Sequence, residues 1–172
     1  MVDRALRPLF PDDFHAEVQV MISLISSDKN IVPDALVGLA ASTAIVISNI
    51  PFGGPVSEVR VGRIDGKYIV NPYKNDLERA DINIIVAGTL RDITMVEGEM
   101  KECSEADMLE ALKIAHEAIK IQCNAQLELV EMLNAGIKTE YSHETNDEEL
   151  KGTIKNATYA KFYEVAKKGC NI

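Results

Sequence analysis

The sequence is poor in the residues that usually announce chemistry. Its three cysteines, Cys103, Cys123 and Cys170, are widely spaced and include no CxxC pair. That argues against a zinc site or a disulfide framework and fits free thiols in a reducing, cytoplasmic compartment. His15, His116 and His143 lie too far apart to share a ligand spacing, so surface or core roles are favoured over a metal triad. No basic n-region precedes an apolar stretch, so no signal peptide is read. The longest apolar run, "VGLAASTAIVISNIPF", carries Ser and Thr and is a buried helix, not a bilayer span. "FGGP" lacks the glycine spacing and Lys-Ser/Thr of a phosphate-binding loop and reads as a turn. Positive charge is scarce too. Lys plus Arg number 18 against 27 Asp plus Glu, a net charge of −9. The first 74 residues carry seven basic against eight acidic side chains, and the remainder eleven against nineteen. A free-standing DNA or RNA binder shows a basic footprint, because phosphate contacts dominate its affinity. This chain does not, so any positive field for RNA has to come from other parts of a larger assembly.

What is present is enough for one domain with a core and a short appendage: 172 residues, 47% hydrophobic, with no low-complexity tract. "HAEVQVMISLISSD" (15–28) alternates and then turns solidly apolar, which predicts a central strand. A helix follows, with Pro33 in its first turn, Asp34 where the dipole favours an anion, and small residues along its length. "PFGGP" breaks the chain, its two glycines free to take positive φ. "VSEVRVGRID" and "KYIVNP" are strands joined at Asp65-Gly66, the dipeptide expected of a type I′ hairpin. "YKNDLERAD" is a polar connection with room for one helical turn. "INIIVAGT" and "ITMVEGEM" form a second hairpin. Ser104 and Asp107 resemble a capping box opening a helix through Met108, Leu112, Ala115, Ile119, Leu127 and Val130, stopped by Gly136. Residues 137–145 read as a polar linker and 147–168 as a charged helix with few contacts to the main domain. The order predicts an α+β fold, β-α-ββ-ββ-α, with a largely antiparallel sheet, helices on both faces and a C-terminal helical segment. Val20, Ile22, Leu24, Ile45, Ile84 and Val86 should share one buried core.

"DRALRPLFPDDFHAEVQVMISLISSD", "PDALVGLAASTA", "NIPFGGPVSEVRVGRIDGKYIVNP" and "DINIIVAGTLRDITMVEGEM" together resemble the polynucleotide phosphorylase family. The likeness is to the later half of its first ribonuclease PH-like core, running from Asp3 to about Leu133. It sets residues 1–136 as that half-core and 137–172 as a linker and the truncated start of the helical domain. The resemblance implies a parent enzyme that degrades single-stranded RNA from its 3′ end with inorganic phosphate, releasing nucleoside diphosphates with magnesium. It also implies a homotrimer with two cores per subunit, and strands preceding "DRALRPLFP" that this chain, a fragment in this reading, lacks.

In the family's active second core, serines open the first helix. Two aspartates spaced six apart, and a lysine two residues on, lead into the strand before "VAGT". Aligned on "VAGT", those last three positions are Leu77, Asn83 and Ile85 here, and the helix opens with Val32, Pro33 and Asp34. Pro33 has no N–H for phosphate, and Asp34 repels it. This half is therefore expected to be inactive, with no metal site or bound magnesium, and to support the trimer and the RNA path. Two other readings stand beside it: an active unit with a displaced site at Asp76, Asp81 and an unidentified cation, and an unrelated acidic binding module. Arg4 and Arg7 are candidate RNA or phosphate contacts, salt bridges or subunit contacts serving them equally well. Glu97 and Glu99 read as solvated strand-end acids, Arg60 and Arg63 as solvated strand positions, and Arg91-Asp92 as a hairpin tip.

Overall fold

Alternation in "SEVRVGRI" and "INIIVAG" builds the sheet, because successive side chains on a strand point to opposite faces. The computed structural model describes residues 1–141 and 146–169, so His143, Cys170 and the end of the polar linker lie outside it. Among the described residues the order is α1 (Val2–Leu6), a 3-10 turn (Arg7–Leu9), α2 (Asp34–Ile47), β1 (Ser57–Ile64), β2 (Lys67–Val70) and α3 (Lys74–Leu77). β3 (Ile82–Gly88), β4 (Ile93–Met100), α4 (Glu105–Leu133) and α5 (Glu148–Lys168) follow. The four strands run β2-β1-β3-β4, every neighbour antiparallel. Asp65 and Gly66 take φ of 51° and 76°, the positive pair that a type I′ turn requires. At the second hairpin, Thr89 Oγ1 accepts from the N–H groups of Arg91 and Asp92, each at 3.1 Å, which accounts for the polar tip.

Both faces of the sheet are covered. Val59 and Val61 of β1 and Ile82, Ile84 and Val86 of β3 pack on Ala111, Ala115, Ile119 and Cys123 of α4. Full burial of each such side chain contributes roughly 1.5–3 kcal/mol. On the other face, Ile85 and Ala87 meet Ala5 and Met95, while Leu6, Ala41 and Ile45 enclose Val56. Ala35, Gly38, Ala41, Ser42 and Ile45 are the buried stripe of α2, at helical spacing. The Ser104–Asp107 capping box opens α4, and Asn134, with φ of 48°, ends it two residues before Gly136. In "PFGGP" neither glycine takes positive φ; Gly53 is small because the Leu9 carbonyl accepts its N–H at 2.7 Å.

The antiparallel α+β fold with helices on both faces is thus as expected, but the first strand is not. Residues 15–28 form no strand and lie outside the sheet, with Val20, Ile22 and Leu24 exposed by 39%, 43% and 63%. Alternation specifies which side chains share a face; it does not supply a hydrogen-bonded neighbour. The expected single core is also two. Ile84 and Val86 lie under α4, Ile45 lies on the opposite side, and Val20, Ile22 and Leu24 belong to neither.

The chain divides into two compact units, Met1–Tyr141 and Ser142–Ile172. In the second, α5 is helical as expected, capped by Asp147 on the Leu150 N–H at 2.9 Å. Part of the predicted linker belongs to the first unit. Lys138 Nζ donates to the Ile45, Val46 and Ser48 carbonyls at 3.1, 3.0 and 2.9 Å, covering the open C-terminus of α2. The Asn49 carbonyl accepts the Thr139 N–H at 2.8 Å. Lys138→Met leaves those three carbonyls without their cation, and urea unfolding should show a loss of about 1–3 kcal/mol.

Candidate functional site

β1 carries Glu58, Arg60 and Gly62 on the face away from α4. The strand register sets Arg60 opposite Ile85, Gly62 opposite Asn83, Ile85 opposite Glu97 and Asn83 opposite Glu99. A cavity of about 310 Å³ opens here, lined by Arg60, Asn83, Ile85, Glu97 and Glu99 among others. Of the matched positions of the family's site, Asn83 and Ile85 line this cavity, and Asp34 is tied to it through Arg60.

Arg60 occupies the centre. One guanidinium nitrogen donates to the Asp34 carboxylate and another to Asn83 Oδ1. The Arg60 side chain is 15% exposed, so little water screens the pair. The second Asp34 oxygen accepts the Ala35 N–H at 2.8 Å, so this carboxylate also fills the helix start, where a phosphate would seek amides. Pro33, at the cap position, offers no N–H. Ile85 is 1% exposed, packed with Ala5, Ala87 and Met95. Leu77 lies against Gly62. The structure therefore joins Asp34 and Asn83 through Arg60, and gives Ile85 and Leu77 apolar packing.

At the far end of β1, Arg63 holds Asp81 through two hydrogen bonds of 2.8 Å and Asp107 at 2.6 Å, with the Tyr68 ring 5.9 Å away. Hydrogen bonding to Arg63 holds the Asp81 carboxyl below the ordinary carboxylate range. The capping bonds of Ser104, more than Arg63, do the same for Asp107. Asp76 pairs with Arg79 at 3.5 Å. The two acids of the displaced-site reading are thus held by different arginines, and no group of three or more His, Cys, Asp or Glu is placed to hold a metal among the described residues. Arg4 pairs with Glu97, and Arg7 Nε donates to Asp3 at 3.1 Å, both in solvent. Glu99 is exposed.

Arg60 and Arg63 were expected at solvated positions and are instead mostly covered centres of ion pairing. The signal was in "SEVRVGRI": once both faces of a strand are covered, Glu58 and Arg60 have to turn inward. The Arg63–Asp81 pair has a pH signature. Because the folded Asp81 pKa is depressed, its stabilisation is present above the unfolded value and is lost as pH falls through the folded one. Wild type should exceed Asp81→Asn in urea midpoint at pH 6, and the gap should close as pH falls below about 4.

Residues 54–118 match the 3′ exoribonuclease family, domain 2. Over 98% of its length the chain is 59% identical to a polyribonucleotide nucleotidyltransferase of Bacteroides fragilis and 61% identical to one of Parabacteroides distasonis. A polyribonucleotide nucleotidyltransferase of Cytophaga hutchinsonii is 52% identical over the same share. The chain spans 24%, 23% and 24% of those three relatives.

Proposed function

The chain belongs to the polyribonucleotide nucleotidyltransferase family, and we propose that it is a catalytically silent half-core of a 3′-to-5′ phosphorolytic exoribonuclease. The observation that carries this reading is Arg60, bound between Asp34 and Asn83 where phosphate and metal would sit in an active core. Phosphorolysis needs donors for the attacking phosphate and carboxylates for a cation that offsets charge on the transferred group. Here the helix start is blocked by its own carboxylate. The matched aspartate positions carry Leu77 and Asn83, and the matched lysine position carries Ile85. These residues do not fit magnesium, which prefers carboxylate oxygens. In this reading magnesium and turnover belong to the second core of a trimeric, cytoplasmic parent that converts single-stranded RNA and phosphate to nucleoside diphosphates.

The half-core then serves as frame. Residues 15–28, which lie outside the sheet, face the portion of the family protein that this chain does not span, and α5 belongs to the opening of the helical domain. Arg4 and Arg7 are the cations assigned to RNA phosphates. Their carboxylate pairs are exposed, and exposed pairs contribute only about 0–1 kcal/mol, so exchange for a phosphate costs little. With a net charge of −9, RNA binding by the isolated chain should be weak and salt-sensitive.

Activity separates this frame from a working unit. The isolated chain should convert no poly(A) and phosphate to ADP in magnesium. In a full-length member carrying this segment, Asp81→Ala with Asn83→Ala should leave phosphorolysis nearly intact, whereas replacing the second core's aspartates should abolish it. If the first-core double variant lost most of its turnover while remaining a folded trimer, Asp81 and Asn83 would have to be counted as working residues.

A further inference from the structure

Glu58 is the charged side chain that the site leaves without a role. It stands on β1 two residues before Arg60, 0% exposed, and neither carboxyl oxygen has a hydrogen-bond partner among the described residues. Its carboxyl fills the notch above Gly38 of α2. A Cβ built at Gly38 would meet the Glu58 Cδ at 2.6 Å and Cγ and Oε2 at 2.7 Å, so helix and acid fit only because residue 38 has no side chain. A sealed carboxylate loses its hydration without replacement, which strongly disfavours the charged form.

The groups facing Glu58 do not reverse this. From the N-terminal end of α1, the Met1 amino group attracts the charge; from α2, Asp34 is of like sign, while the Gly38 N–H favours the ionised form only weakly. On β1, Arg60 is already held by Asp34 and Asn83. Burial outweighs the Met1 charge and pushes the Glu58 carboxyl above its ordinary range.

We propose that Glu58 is a pH-responsive latch: α2 is seated on the sheet while the carboxyl carries its proton, and loss of that proton lifts the first turns of α2 and separates Asp34 from Arg60. The chemical step is one O–H heterolysis, the proton passing to solvent. The sign follows from linkage. Below the ordinary glutamate value, both folded and unfolded chains carry the proton. As pH rises the unfolded chain ionises first, so this contribution declines through the window up to the folded pKa and then levels.

Amide hydrogen exchange on the whole 172-residue chain tests it, with α4 as internal reference and rates corrected for intrinsic pH dependence. As pH rises from about 4, the ordinary glutamate value, protection of residues 34–47 should fall relative to α4 and then level, each pKa unit of elevation giving about tenfold. Glu58→Gln keeps the shape without the proton to lose and should abolish that fall. An infrared carbonyl band of a protonated carboxyl should persist in wild type above the ordinary glutamate value of about 4 and be absent there from Glu58→Gln. An unchanged α2-to-α4 ratio in wild type, an equal fall in the variant, or no such band in wild type would overturn the proposal. Should Glu58→Gln not fold, the two wild-type measurements decide alone.

Discussion

A sheet covered on both faces gives the inward side chains of its central strands no route to water except at the sheet's ends. β1 has to satisfy that constraint with two arginines and a glutamate in its eight residues. The solutions differ by position. At the far end, Arg63 collects Asp81 and Asp107 where all three reach solvent in part. In the middle, Arg60 reaches the start of α2 and bonds Asp34 and Asn83. At the end nearest Gly38, Glu58 finds nothing. The placement of α2 follows from the outcomes at Arg60 and Glu58 together with its stripe of small residues, while Arg63 serves the α4 face. Removing one partner of a buried pair leaves a charge uncompensated, which costs more than the intact pair contributes.

In the proposed reading, the same constraint turns the family's reaction site into a structural joint. An active core of this fold keeps open donors at a helix start and free carboxylates on the neighbouring strand, both poised for ligands. Here the helix start carries Pro33 and Asp34, the strand carries Asn83 and Ile85, and the nearby cation is spent within the chain. Each replacement alone would leave an orphan: Asp34 without Arg60 is a half-buried anion, and Arg60 without Asp34 and Asn83 is a buried cation. Together they satisfy one another at the two terminal guanidinium nitrogens, leaving only Arg60 Nε without a partner among the described residues. A site of this kind gains rigidity from the groups that would otherwise have engaged substrate.

How much of this was legible in the sequence divides along physical lines. Local signals were readable where they act locally: the Asp65-Gly66 turn, the Ser104–Asp107 capping box, the small-residue stripe from Ala35 to Ile45. The identities at Pro33, Asp34, Asn83 and Ile85 could also be read against the family's pattern. The strand at 15–28 could not be placed, because alternation says nothing about which chain provides the neighbouring ladder. Arg60 and Arg63 were misjudged, and Glu58 went unremarked, for a related reason. Their burial depends on α2 and α4 arriving on opposite faces, which is a tertiary fact that no single-strand pattern contains.

Lys138 shows the same limit at smaller scale and ties the joint to the end of the domain. In "GIKTEY" it reads as a linker charge, yet it lies against the last carbonyls of α2 and meets three of them. α2 is therefore held at both termini by cations from distant chain, Arg60 at the start through Asp34 and Lys138 at the end. The middle rests on Gly38 against Glu58 and on Ala41 and Ile45 against Val56. The helix of an active core needs a free N-terminus to receive phosphate. This one is pinned along its length, and that arrangement suits a frame better than a receptor.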